Sequence, residues 1–186
     1  MDYELFDKAL IFAARAHRSQ YRKGTDIPYI THPMAMAAML VEMGCADELV
    51  VAALLHDVVE DTPVTLAEVE TAFGPQVAEL VQGVSEPDRS VSWEERKAQT
   101  LHKLREAPLA VKLLACADKL HNIRSLSRSY AEIGEPVWQR FNRGKEKQAW
   151  YYRALVESLM AGLEEPEKQP IFAALAQEVE ALFGNK

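Results

Sequence analysis

Cysteine is scarce in this chain: two of 186 residues, Cys45 and Cys116. Both sit in apolar helical contexts without the spacing of a thiolate metal site or a partner motif, so both read as core filler. Long apolar runs are missing as well. Acidic or basic residues interrupt every candidate stretch before it reaches the roughly 20 residues that span a bilayer, and no membrane partner is expected. The N-terminus, Met1-Asp2-Tyr3-Glu4-Leu5-Phe6-Asp7, lacks the basic region and apolar run of a secretory signal, so the chain reads as cytoplasmic. An excess of positive charge is absent too. With 21 basic against 28 acidic side chains the net charge is −7, which disfavours broad attraction to nucleic acid or anionic lipid. Any phosphate recognition has to be local.

What is present is an ordinary globular composition, 48% apolar and 26% charged, in a length suited to one core. A single domain over residues 1–186 is expected. Leu5, Ala9, Ile11, Phe12 and Ala16 recur at helical intervals and predict a first helix over residues 4–19. Thr31-His32-Pro33 resembles a helix entry with proline in the first turn, placing His32 at a loop-to-helix junction before a helix running to about Met43. Asp47 to His56 continues as an all-round apolar helix, expected at the centre of the fold. Thr65 to Glu68 and Ser92 to Glu95 offer capping starts, Phe73-Gly74-Pro75 separates two short helices, and Pro87-Asp88-Arg89-Ser90 reads as loop. Further helices are predicted near 93–106, 108–128, 145–163 and 170–183. With no alternating strand, repeat or low-complexity tract, the fold class is an all-α, single compact helical bundle.

His56 and Asp57 close the most apolar helix, where two polar groups are costly unless something satisfies them. A divalent transition metal such as manganese, iron or zinc would do so, since imidazole and carboxylate form a suitable mixed ligand set. A helix-terminal polar pair is the other reading. Asp118 and Asn122 lie four residues apart, on one face of another apolar segment. A buried aspartate needs a cation or several donors; Lys119, adjacent in sequence, projects about a quarter-turn away. Glu60 and Asp61 follow the His-Asp pair by about one turn and could handle protons beside a metal, or Asp61 could cap the turn at Thr62-Pro63. Arg22-Lys23-Gly24 brings two cations that could meet phosphates or a base, or that form a surface charge run. His17 and His102, among charged residues, are expected to be exposed, and with His121 they are left unassigned.

Arg22-Lys23, Pro28-Tyr29-Ile30-Thr31-His32-Pro33, Ala53 through Thr62, Phe73-Gly74 and Ala117 through Arg124, in that order and spacing, resemble the hydrolase domain of the RelA/SpoT family. The resemblance covers about residues 5–130, is nearest to the small stand-alone alarmone hydrolases, and is looser over the C-terminal helices of residues 134–186. It implies an all-helical HD domain that uses manganese to remove pyrophosphate from the 3′ position of guanosine tetra- or pentaphosphate. The family's metal ligands match His32, His56, Asp57 and Asp118, its water-handling acids match Glu60 and Asp61, and its nucleotide-contacting asparagine matches Asn122. Arg22, Lys23 and Lys97 match positions that meet the base or phosphates. The loop Gly24-Thr25-Asp26-Ile27-Pro28 departs from the family's commoner Gly-Glu-Pro version, which bears on base selectivity. The implied partner is a small nucleotide, and hydrolysis without synthesis is expected because no room remains for a synthetase domain. An HD phosphohydrolase acting on an adenosine alarmone, a phosphorylated dinucleotide cofactor or a nucleotide monophosphate is the alternative enzyme. A silent nucleotide- or protein-binding module is the alternative role, against which the carboxylates at 60 and 61 argue.

Overall fold

Every residue from Leu49 to Leu55 is buried, and a helix that is apolar on all sides is satisfied only inside a core. The computed structural model of the chain is described over residues 1–86, 90–164 and 170–184; the expected loop at Pro87-Asp88-Arg89 lies outside them. Among the described residues there are helices and one isolated bridge, Tyr21 to Pro28, but no strand. The fold class is all-α. Its backbone contacts divide the chain into two compact units, Met1–Glu86 and Pro87–Lys186.

The first unit holds α1 (Tyr3–Ala16), α2 (Thr31–Glu42), α3 (Asp47–Leu55), α4 (Val58–Asp61), α5 (Leu66–Phe73) and α6 (Pro75–Val84). Helix α3 packs against α1, α2 and α6, and α5 packs against α6. Full burial of a side chain such as Leu54 or Leu55 is worth roughly 1.5–3 kcal/mol, so α3 both organises this core and fixes where its C-terminal residues emerge. Helix α1 ends at Ala16 with His17 as its cap, three residues before the expected end, and Ile11 on it is 52% exposed, outside the core. Helix α2 begins at Thr31, whose hydroxyl donates to the Pro28 carbonyl. Pro33 therefore stands in the first turn, where an N–H would have no intrahelical acceptor. Helix α5 starts with the expected box, Thr65 Oγ1 accepting from the Glu68 N–H and Glu68 accepting from the Thr65 N–H. Gly74, at φ +88°, makes the break that Pro75 then turns into α6. Cys45, between α2 and α3, is half-buried and fills core space only in part.

The second unit holds α7 (Trp93–Glu106), α8 (Leu109–Ile133), a 3₁₀ helix (Glu135–Arg140), α9 (Lys145–Met160) and α10 (Pro170–Phe183). Helix α7 has the expected Ser92–Glu95 capping box and packs on α9, while α10 packs on α8 and α9. Helix α8 runs five residues past the expected end at Arg128, to Gly134 at φ +66°. The polar stretch Ser127 to Ser129 continues the helix because nothing in it breaks the backbone pattern; the glycine does. Helix α9 stops at Met160, short of the expected Leu163. Cys116 is buried in α8, its thiol donating to the Ile171 carbonyl, and burial pushes its pKa up. Lys112 is also buried, and its ammonium donates to the carbonyls of Arg105 at the end of α7 and Ala161 at the end of α9. None of the described helices is long and apolar enough to cross a membrane.

Candidate metal centre

Because α3 is buried from Leu49 to its C-terminal end, the residue that caps it is buried too. His56 is 3% exposed, and its Nδ1 lies 2.8 Å from the Ala53 carbonyl oxygen, one of the helix's terminal acceptors. A carbonyl accepts only, so Nδ1 carries the proton and Nε2 presents a lone pair. That lone pair lies 2.8 Å from Oδ2 of Asp57, itself an acceptor when ionised. Two acceptors at this separation repel unless a proton or a metal ion lies with them. His32, buried in the first turn of α2, places its Nε2 3.9 Å from the same Asp57 oxygen. The His32 and His56 rings meet edge to face with centroids 5.1 Å apart and offer nitrogens within 4.8 Å of one another. Two imidazoles and a carboxylate so arranged fit a divalent transition metal.

Asp57 is followed directly by α4, a single turn closed by Asp61 N–H to the Asp57 carbonyl. Glu60 and Asp61 ride on it. Glu60 is half-buried, with Oε1 accepting the Glu86 N–H at 2.9 Å, and Asp61 is exposed. The hydroxyl of Thr62 closes the turn beyond them, donating to the Val58 carbonyl and accepting from the Val64 N–H.

On α8, Asp118 and Asn122 share a face as expected, and the Asn122 amide donates to Asp118 Oδ1. Lys119 differs from expectation: its Nζ lies 2.7 Å from Asp118 Oδ2. The Cα–Cβ bonds of neighbours on a helix diverge, but a four-carbon stem is long enough to curl back. Burial, the largest single influence, works against the lysine's charge, but the adjacent Asp118 carboxylate together with Tyr151 and Tyr152 outweighs it and holds its pKa well above the ordinary value.

The expected cations fall in two places. Arg22 is half-buried with its guanidinium carbon 5.6 Å from the Tyr29 ring centroid, and Lys23 beside it is exposed. Lys97, on α7, sets its ammonium 4.8 Å over the ring of Tyr151. His102 is exposed as expected and His121 half-buried. His17 is not exposed; it is 2% accessible, because the end of α1 turns it inward against Tyr29. Sequence reasoning also passed over Tyr29 as a site residue. Its hydroxyl donates to Asp57 Oδ2, a bond between positions 28 residues apart that no local pattern announces.

The sequence matches the HD domain family over residues 9–145, and the chain belongs to that family. It is 42% identical over 125 residues to the bifunctional (p)ppGpp synthase/hydrolase SpoT of Escherichia coli, a match covering 64% of this chain and 18% of that protein. It is 45% identical over 128 residues to the human guanosine-3′,5′-bis(diphosphate) 3′-pyrophosphohydrolase, covering 67% of this chain and 71% of that one. The chain thus spans less than a fifth of the long bacterial relative and over two thirds of the human one. Among solved structures, a metazoan orthologue of SpoT that hydrolyzes ppGpp superposes with a TM-score of 0.77 at 31% identity, over 97% of this chain and 96% of that. A Listeria monocytogenes crystal structure gives 0.78 at 40% identity, over 83% and 99%.

Proposed function

We propose that this chain is a metal-dependent phosphohydrolase that removes the 3′-pyrophosphate of guanosine 3′,5′-bis-polyphosphates, converting ppGpp to GDP and pyrophosphate, and that residues 1–186 work as one hydrolase domain in the cytoplasm. The observation that carries the reading is the 2.8 Å approach of two acceptors, His56 Nε2 and Asp57 Oδ2, with His32 beside them. Relatives named as hydrolases of this nucleotide supply the substrate.

His32, His56, Asp57 and Asp118 hold one divalent cation, manganese in our reading. When bound, such a cation acidifies water and offsets charge on phosphoryl oxygens. The chain's own residues do the rest. The bond that breaks joins the 3′ oxygen to phosphorus, and the bond that forms joins that phosphorus to the oxygen of a water. Glu60 and Asp61 carry the protons: one is taken from the attacking water, and one is returned to the 3′ oxygen as it leaves. Arg22 and Lys23 face the base and phosphates, Lys97 meets a phosphate, and Asn122 contacts the nucleotide while its amide steadies Asp118. In an acidic protein such a polyanion needs dedicated cations, and a planar guanidinium can also stack on a base.

The test is product analysis by anion-exchange chromatography after incubating the full chain with manganese and guanosine tetraphosphate. GDP and pyrophosphate are expected in equal amounts. Release of orthophosphate, or faster turnover of an adenosine alarmone or a phosphorylated dinucleotide, overturns the substrate assignment.

A further inference from the structure

Helix α4 is too short to hold its own shape. A single turn does not repay the entropy of forming it, yet it runs from Asp57 to the two acids at 60 and 61. Something outside must fix both its ends, and the residues that do so come from the end of α1 and the loop after it. At the first end, the Tyr29 hydroxyl donates to Asp57 Oδ2. At the other, the Gln20 side-chain amide donates to the Asp61 carbonyl at 2.6 Å. That bond orients the Gln20 amide, so its Oε1 is the atom facing His17 Nδ1 at 2.7 Å, and His17 must donate. His17 Nε2 is buried with no hydrogen-bond partner among the described residues. The imidazole packs on the Tyr29 ring, centroids 4.7 Å apart and planes 35° from parallel. Tyr29 is therefore braced on a buried ring, and that ring is tied through Gln20 to the far end of α4.

We propose that Tyr29 is a positioning residue for the metal ligand Asp57, and that His17, Gln20 and Tyr29 form a clamp holding both ends of α4. The proposal rests on the metal reading above. A hydroxyl donating to a ligating carboxylate fixes which oxygen faces the metal and lowers the cost of ordering it; loss of such a partner typically weakens metal binding 10–100-fold. Tyr29 touches no reacting atom in this role. It acts through Asp57.

Tyr29→Phe keeps the ring on His17 and removes only the donor. The experiment is calorimetric titration of metal-free full-length wild type and Tyr29→Phe with Mn²⁺, repeated with Co²⁺ while following its visible absorption, and with thermal unfolding of both metal-free proteins as a control. A dissociation constant raised roughly 10-fold or more, an altered Co²⁺ spectrum and an unchanged metal-free melting temperature support the proposal. Equal affinity and equal spectra in the two proteins overturn it. If the wild type itself binds neither ion, the metal reading fails first and takes the proposal with it. Gln20→Ala gives a second arm for the clamp: it should lower turnover while leaving Mn²⁺ affinity within a few-fold of wild type, and unchanged turnover removes the far-end anchor from the proposal.

Discussion

At the residue scale the site turns on which atoms are donors. His56 Nδ1 is committed to the Ala53 carbonyl, so its other nitrogen is the one that faces Asp57 and the proposed metal. Glu60 is constrained differently, since one carboxylate oxygen accepts the Glu86 N–H. Glu60→Gln preserves an acceptor for that bond and removes only the charge and the basicity. Turnover should therefore fall by roughly 10²–10⁴, the usual cost of losing a general acid or base, while metal content by elemental analysis and the melting temperature stay close to wild type. Unchanged turnover would return Glu60 to a purely structural role at the end of α4.

At the scale of elements, the second unit depends on Lys112 in a way its charge conceals. A lysine on an apolar helix reads as a mistake until its ammonium is seen between the C-terminal carbonyls of α7 and α9, where a cation also complements both helix dipoles. Lys112→Met keeps the length and the apolar stem but leaves two carbonyls without their donor. Urea unfolding should show a loss of about 1–3 kcal/mol, and a loss near zero would mean that water replaces the ammonium at both ends. Helix boundaries were legible wherever a cap was written locally, as at Thr65, Ser92 and Pro170. They shifted where the terminator was tertiary or a distant glycine: α1 stops where His17 turns inward, and α8 runs on to Gly134.

For the whole molecule, a ligand that binds only the folded chain stabilises it by mass action. Manganese at about 100 times its dissociation constant should add about 2.7 kcal/mol, seen as a rise in melting temperature that a chelator reverses and that His56→Ala abolishes. No shift in the wild type would count against the metal centre. The all-α class and the central place of α3 were readable from the chain, because helical periodicity and caps are local in sequence, whereas His32, His56, Asp57 and Asp118 were joined into one candidate ligand set only by the family resemblance. Glu60 and Asp61 as a pair, and Asp118 and Asn122 on one helix face, were readable from spacing; that the Asn122 amide donates to Asp118 is seen only in the structure. Tertiary structure decided the rest. That His17 is buried and that Tyr29 reaches Asp57 depend on which surfaces meet when the helices pack. Side-chain partners separated by tens of residues are chosen by that packing, which no spacing along the chain records.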